Sequence, residues 1–240
     1  MMKYIINVLL VLTFALSGCV YDTDNSEQMQ NNVQNAENIN KVLNYLALGD
    51  SYTIGESVDS SQRWPVQLVE RLREDSLEVN DAEIIARTGW TTGELISGIE
   101  AEDPAGNYGL VSLLIGVNNQ YRGLPIGSFR TEFVQLLNIA LDKAGGDKAK
   151  VIVLSIPDWG VMPFAEGRDR EKIAEEIDSF NAVVKEECRQ AGISFFDITG
   201  ISRQAKDDAS LVASDGLHPS GEMYKLWVHR IYPAVREILK

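Results

Sequence analysis

Residues 110–119 read LVSLLIGVNN, and residues 151–156 read VIVLSI. Each is a short, almost continuously apolar run. That is the mark of a parallel β-strand covered on both faces rather than of a half-exposed strand, which would alternate. Working outward from this pair, three further runs of strand length stand at Leu43–Leu48, Ala82–Ala86 and Ile193–Ile198, beside the two just quoted at Leu110–Ile115 and Val151–Ile156. Helical periodicity fills the intervals. Trp64–Arg73 places Val66, Val69 and Leu72 on one side, and Ser128–Lys143 spaces Phe129, Phe133, Leu136, Leu137 and Ala140 at helical steps. Arg170–Ala191 sets Ile173, Ile177, Phe180, Val184 and Cys188 three or four apart, with Gly192 placed to end the helix. A last helix is expected from Pro219, carrying Met223, Leu226, Trp227, Val228, Ile231 and Val235. Strands alternating with helices predict an α/β fold with a mostly parallel, five-stranded sheet.

In such sheets ligands bind beyond the carboxyl ends of the strands, so the segments after the apolar runs carry the functional question. After the first run comes Gly49-Asp50-Ser51-Tyr52, after the second Thr88-Gly89-Trp90, and after the third Gly116-Val117-Asn118-Asn119. Asp215-Gly216-Leu217-His218-Pro219 precedes the last helix. A serine hydroxyl becomes a nucleophile near neutral pH when a base takes its proton during attack. Of the two histidines, His229 falls inside the last helical pattern, which leaves His218 as the base. Asp215, three residues earlier, can reach the imidazole Nδ1–H across a tight turn and fix its tautomer. The oxyanion formed on attack needs preplaced donors, which the Ser51 and Gly89 backbone N–H groups and the Asn118 amide can supply. Ser51 can alternatively cap a helix, and Gly89 can simply permit a positive φ. Trp90, Asn119, Tyr121, Arg122 and Trp159 follow strand ends and are candidates to contact substrate, with ordinary loop packing as the alternative. The longest loops are expected at 116–127 and 158–169. Asp50 is expected to make a structural hydrogen bond, and no chemistry is assigned to Asp158.

These blocks, in this order, resemble the SGNH (GDSL) hydrolase family from about Leu46 to the end of the chain. Gly49-Asp50-Ser51 is similar to the family's first block, Gly89 to its second-block glycine, Gly116-Val117-Asn118 to its third block and Asp215-Gly216-Leu217-His218-Pro219 to its fifth. The resemblance implies a three-layer α/β/α flavodoxin-like sandwich. It also implies a serine esterase with Ser51 as nucleophile, His218 as base, Asp215 as acid, and Ser51, Gly89 and Asn118 around the oxyanion. The Gly-x-Ser-x-Gly elbow of other serine hydrolases is absent, since Tyr52 and Thr53 follow Ser51. Family members include lysophospholipases, thioesterases, arylesterases and carbohydrate deacetylases, so the implied substrate is a small acyl ester, of lipid or acylated glycan. Two other readings stay open: a noncatalytic surface lipoprotein that binds such ligands, and an acyltransferase using the same residues.

The N-terminus reads as an address. Lys3 precedes an apolar stretch from Tyr4 to Leu16, roughly 13 residues against the ~20 that span a bilayer, as in a secretory signal peptide. Leu16-Ser17-Gly18-Cys19 resembles the lipobox of bacterial lipoproteins, which implies cleavage before Cys19, acylation of its sulfur and anchoring at the cell envelope. The expected organisation is a signal peptide over residues 1–18, a lipidated flexible tether over 19–41, rich in Asn, Gln, Asp and Glu, and a hydrolase domain over 42–240.

Composition sets the outer limits. With 45% hydrophobic and 24% charged residues the 240-residue chain has the mix of a soluble globular protein. A net charge of −13 and the lack of a basic stripe argue against nucleic acid as a partner. Two cysteines, Cys19 and Cys188, and two histidines form no cluster with zinc-ligand spacing, so neither metal nor cofactor is expected. Cys188 reads as a core residue, and the chain is expected to act as a monomer.

Overall fold

The computed structural model describes residues 42–239. The expected signal peptide, the lipidation site at Cys19 and the tether to Lys41 lie outside the described residues. Strand β1 (Tyr45–Asp50) leads into the short helix α1 (Ser51–Ile54), followed by α2 (Trp64–Glu74), β2 (Glu83–Arg87), α3 (Thr92–Glu102) and β3 (Leu110–Leu114). The chain continues through α4 (Val117–Tyr121), α5 (Ile126–Lys143), β4 (Val151–Leu154), α6 (Arg170–Ala191), β5 (Ser194–Phe196), α7 (Thr199–Ser202) and α8 (Gly221–Ile238). The sheet order is β2-β1-β3-β4-β5 and every neighbouring pair is parallel, the order of a flavodoxin-like sheet. Helices α3, α5 and α6 pack together on one side, and α2 and α8 pack together on the other.

The central strands are buried along their whole length, as their unbroken apolar runs require. The edge strand β2 buries only Ile85 and leaves Glu83 and Arg87 in solvent. Pairing of Gly49 with both Ala86 and Leu114 brings β1, β2 and β3 to an end at the same level. The three segments that follow them therefore emerge side by side. A Cβ at Gly49 would lie 2.5 Å from the Leu114 carbonyl oxygen, so only glycine fits where the chain turns from strand to α1.

Boundaries depart from the sequence expectations where backbone hydrogen bonding outruns side-chain character. β1 extends to Asp50 because its ladder with β2 continues past the apolar residues. The last helix starts at Gly221 rather than Pro219: Ser220 caps it by accepting from the Met223 N–H, while Pro219 bridges to Val212. α4 occupies part of the segment expected as a loop at 116–127, and Trp159–Val161 and Pro163–Ala165 form 3₁₀ turns within 158–169. Cys188 is buried in the core, as expected. No helix among the described residues is long and apolar enough to cross a membrane.

Candidate active site

At the carboxyl end of β1 the Asp50 side chain folds back on the chain. Its Oδ1 accepts the Tyr52 N–H at 3.0 Å and so caps α1, with Ser51 as the first helical residue. The first N–H groups of a helix have no partner within it, which leaves the Ser51 N–H available to a ligand. Asp50 is fully buried, and its Oδ2 meets no donor from the described residues. Burial pushes its carboxyl up to about 7, against a smaller lowering by the Tyr52 N–H. Gly55, in the left-handed region at φ 70°, ends α1.

The turn before α8 holds its own side chains in a closed arrangement. Asp215 Oδ1 accepts the backbone N–H groups of Leu217 and His218 at 2.9 and 3.0 Å. Asp215 Oδ2 lies 2.5 Å from His218 Nδ1 and also accepts the Ser57 hydroxyl at 2.7 Å. Partial burial raises the Asp215 carboxyl, but the bonds from the His218 ring, the two backbone N–H groups and Ser57 outweigh it and hold the group well below the usual carboxylate range. His218 is buried, with the Tyr52 ring edge-on at 5.7 Å. Three residues of sequence separation thus suffice to join acid and imidazole, because the carboxylate binds the turn's backbone as well as the ring.

Ser51 and His218 line one pocket of about 180 Å³, together with Tyr52, Thr88, Gly89, Val117, Asn118, Tyr121, Trp159, Phe164 and Leu217. No hydrogen bond joins the Ser51 hydroxyl to His218 among the described residues. Such bonds are often long before substrate arrives. Gly89 adopts φ 86°, and its carbonyl accepts from Arg122 Nη2 at 2.5 Å, while Arg122 Nη1 reaches Glu94 at 3.3 Å. Asn118 Nδ2 donates to the Trp90 carbonyl at 2.9 Å. An amide carries two donor hydrogens, so one remains for the pocket.

Of the five residues expected to contact substrate, Tyr121 and Trp159 line the pocket and three do not. Asn119 is buried and spends its amide on the start of α3, accepting the Thr92 N–H at 3.0 Å and donating to Thr92 Oγ1 at 2.7 Å. Arg122 braces the Gly89 carbonyl from outside the pocket. The Trp90 indole packs over Gly98 and lines a separate groove along β2, leaving only its carbonyl in contact with Asn118. Asp158 turns out to be structural: buried, it accepts the Gly160 N–H at 2.8 Å and pairs with Arg203 at 2.9 Å, fixing the turn that carries Trp159.

The residues not legible as site residues in the sequence are Phe164 and Ser57, neither of which belongs to a recognisable block, and Tyr52, Thr88, Val117 and Leu217, which sit inside the four blocks without a role assigned to them. Tyr121, Trp159 and Phe164 form one aromatic wall, with ring centroids 5.4 to 6.5 Å apart. The Arg168 guanidinium stands 5.2 to 5.4 Å from all three rings. Trp159 is held from behind by its indole N–H donating to Gln120 Oε1 at 2.8 Å. A hydroxyl, an imidazole with its carboxylate, and unspent N–H donors around one apolar hollow can support acyl transfer.

The family model described as GDSL-like Lipase/Acylhydrolase family matches residues 47–226. No curated protein sequence matches the chain. Among solved structures, that of TesA superposes with a TM-score of 0.64 at 20% identity, covering 82% of this chain and 99% of that one. Axe2, an acetylxylan esterase from Geobacillus stearothermophilus, gives 0.62 at 18% identity, covering 80% and 94%. The lipase/acylhydrolase from Enterococcus faecalis gives 0.60 at 22% identity, covering 82% and 97%. At these identities the structural likeness speaks for the fold alone.

Proposed function

Because the chain belongs to the GDSL-like lipase/acylhydrolase family, we propose that it is a serine esterase that hydrolyses carboxylic acyl esters, of lipid or acylated glycan, through an acyl-enzyme on Ser51. The observation that carries this reading is that the Asp215–His218 couple opens onto the same small pocket as Ser51.

In the first half-reaction Ser51 Oγ attacks the ester carbonyl carbon as His218 Nε2 takes its proton. Asp215, bonded to Nδ1, holds the ring in the tautomer that leaves Nε2 free, and stabilises the imidazolium. The Ser51 N–H, the Gly89 N–H and the unspent Asn118 amide hydrogen receive the negative charge on the carbonyl oxygen. Collapse breaks the bond to the alcohol oxygen, which leaves with the proton from His218. Water then attacks the acyl carbon, gives its proton to His218, and the acid departs as Ser51 regains its hydrogen. The aromatic wall favours an apolar acyl group.

The reading extends to location. The Leu16-Ser17-Gly18-Cys19 sequence supports export, cleavage before Cys19 and lipid anchoring at a bacterial cell envelope. A fluorophosphonate probe should label Ser51, and Ser51→Ala should lose the label and at least 10³-fold of p-nitrophenyl acetate hydrolysis with an unchanged circular dichroism spectrum. The intact mass of the labelled protein, isolated from bacterial membranes, reads the acylation of Cys19 in the same experiment. Full hydrolysis by Ser51→Ala would dispose of the mechanism, and an unmodified Cys19 of the anchoring.

A further inference from the structure

Ser57 is one of four non-glycine residues among those described that adopt a positive φ, here 64°. A non-glycine residue is held in this region only where its surroundings impose it. Those surroundings are the nucleophile turn itself, since the N–H groups of Gly55 and Glu56 both donate to the Ser51 carbonyl at 3.0 Å. The strained residue sits just beyond them and aims its hydroxyl at Asp215 Oδ2, 2.7 Å away and 158 positions along the chain.

That oxygen is the one facing His218 Nδ1. With two backbone N–H groups on Oδ1, Ser57 provides the fourth bond to a carboxylate that has about four acceptor positions. Without it, Oδ2 would be held by the imidazole alone, and the carboxylate would be free to rock about its Oδ1 anchor. Resting on the esterase reading above, we propose that Ser57 is a positioning residue for that reaction. Its hydroxyl locks the Asp215 carboxylate to the nucleophile turn and thereby sets the orientation of His218 and moderates the pull of the carboxylate on the imidazolium.

This role has a signed consequence. Removing the hydroxyl leaves the Asp215 charge less neutralised, so the imidazolium gains stability and the ionisation limiting kcat/KM on the acid side moves to higher pH. Besides His218, the titratable groups that feel the Asp215 charge are Tyr52 from α1 and Tyr224 from α8, and the substitution alters neither.

The test compares Ser57→Ala with Ser57→Gly. Both lack the hydroxyl, but glycine adopts the positive φ freely. Ser60→Ala, at an exposed site in the following 3₁₀ turn, is the control. With p-nitrophenyl acetate from pH 4 to 9, both Ser57 variants should lose about tenfold in kcat, with KM changed less than twofold and the acid limb displaced upward by a few tenths of a pH unit. The downfield proton resonance of His218 Nδ1–H should shift in both. Ser60→Ala should match the parent. Parent-like kcat and acid limb in Ser57→Gly would overturn the proposal, as would equal losses at every pH, which denote general damage. The fluorophosphonate label separates the two levels: with Ser51 labelled in the parent, a negative Ser57 result fells this inference alone, whereas an unlabelled parent removes the esterase reading and this inference with it.

Discussion

On the side of Ser51, Asp215 and His218, the pocket wall is made of short turns, with four hydrogen bonds converging on the Asp215 carboxylate. Along the rest of the pocket the wall is three aromatic rings, two of them, Tyr121 and Phe164, 47% and 41% exposed, and their side chains are held mainly by edge contacts and a guanidinium. The Asp215–His218 turn has one arrangement that keeps all four of these bonds. The aromatic wall can trade one apolar contact for another at little cost. The difference separates tasks: fixed geometry where charge moves, adaptable surface where an acyl chain of variable shape must rest.

The largest effect should come from the rigid wall. Asp215→Asn keeps size and shape, and its amide oxygen can still accept the Leu217 and His218 N–H groups. Its NH₂ then faces Nδ1 where an acceptor is required, which favours the wrong tautomer. In a serine protease the corresponding change costs about 10⁴ in kcat. We expect a loss of that order here for p-nitrophenyl ester hydrolysis, with the melting temperature lowered only slightly. A loss below tenfold would break the comparison, because the converging hydrogen bonds would then be scaffolding without catalytic consequence.

The two walls were also unequally legible in the sequence. Ser51, Gly89 and Asn118 sit in short blocks at strand ends and Asp215 and His218 in the block before the last helix, and the pocket contains four of the five, lacking only Asp215, which bonds His218 from behind it. The aromatic wall was half seen. Tyr121 and Trp159 follow recognisable blocks, while Phe164 comes from a 3₁₀ turn anchored by its N–H donating to the Gly216 carbonyl at 2.9 Å, 52 positions along the chain. Asn119, Arg122 and Trp90 were misplaced for a related reason: position after a strand end does not say whether a side chain turns into the hollow or back onto the scaffold. The five strand runs and helix α6 could be read from apolar periodicity. Helix α3 was overlooked because Gly93 and Gly98 dilute its apolar face, although the Thr91–Glu94 capping box announces its start. Ser57 left no trace, since its role depends on a contact 158 residues away.

Asp50 sharpens the comparison at the level of stability. Its buried carboxyl is raised to about 7, chiefly by desolvation, so the folded state holds its proton more tightly than the unfolded chain, whose ordinary value is 3.8. The sign follows: the group's contribution to stability is fully present below pH 3.8 and is lost as pH rises through about 7. Asp50→Asn has no such titration and retains an oxygen for the Tyr52 N–H. The unfolding free energy of the variant minus that of the parent, from urea denaturation, should therefore increase between pH 4 and pH 8, by on the order of 2–4 kcal/mol. A difference that stays flat over this range would mean that Asp50 is ionised throughout, and that the rigid wall tolerates a buried charge behind its nucleophile.

The smallest effect belongs to the aromatic wall. Phe164 is exposed enough that Phe164→Ala should alter the melting temperature little, and it touches neither Asp215 nor His218 by any hydrogen bond. What it removes is apolar surface for an acyl chain to cover, at about 25 cal/mol per Å², a loss of roughly threefold to tenfold in kcat/KM for a hexanoyl ester. An acetyl group offers the least apolar surface for that ring to cover, so p-nitrophenyl acetate should be hydrolysed close to the parental rate. The informative quantity is the ratio of the two specificities, since damage transmitted to the rigid wall would lower both substrates together. A ratio equal to the parent's, whatever the absolute rates, would show that the acyl chain does not lie on Tyr121, Trp159 and Phe164, and the division of labour between the walls would have to be redrawn with the alcohol portion of the ester on the aromatic side.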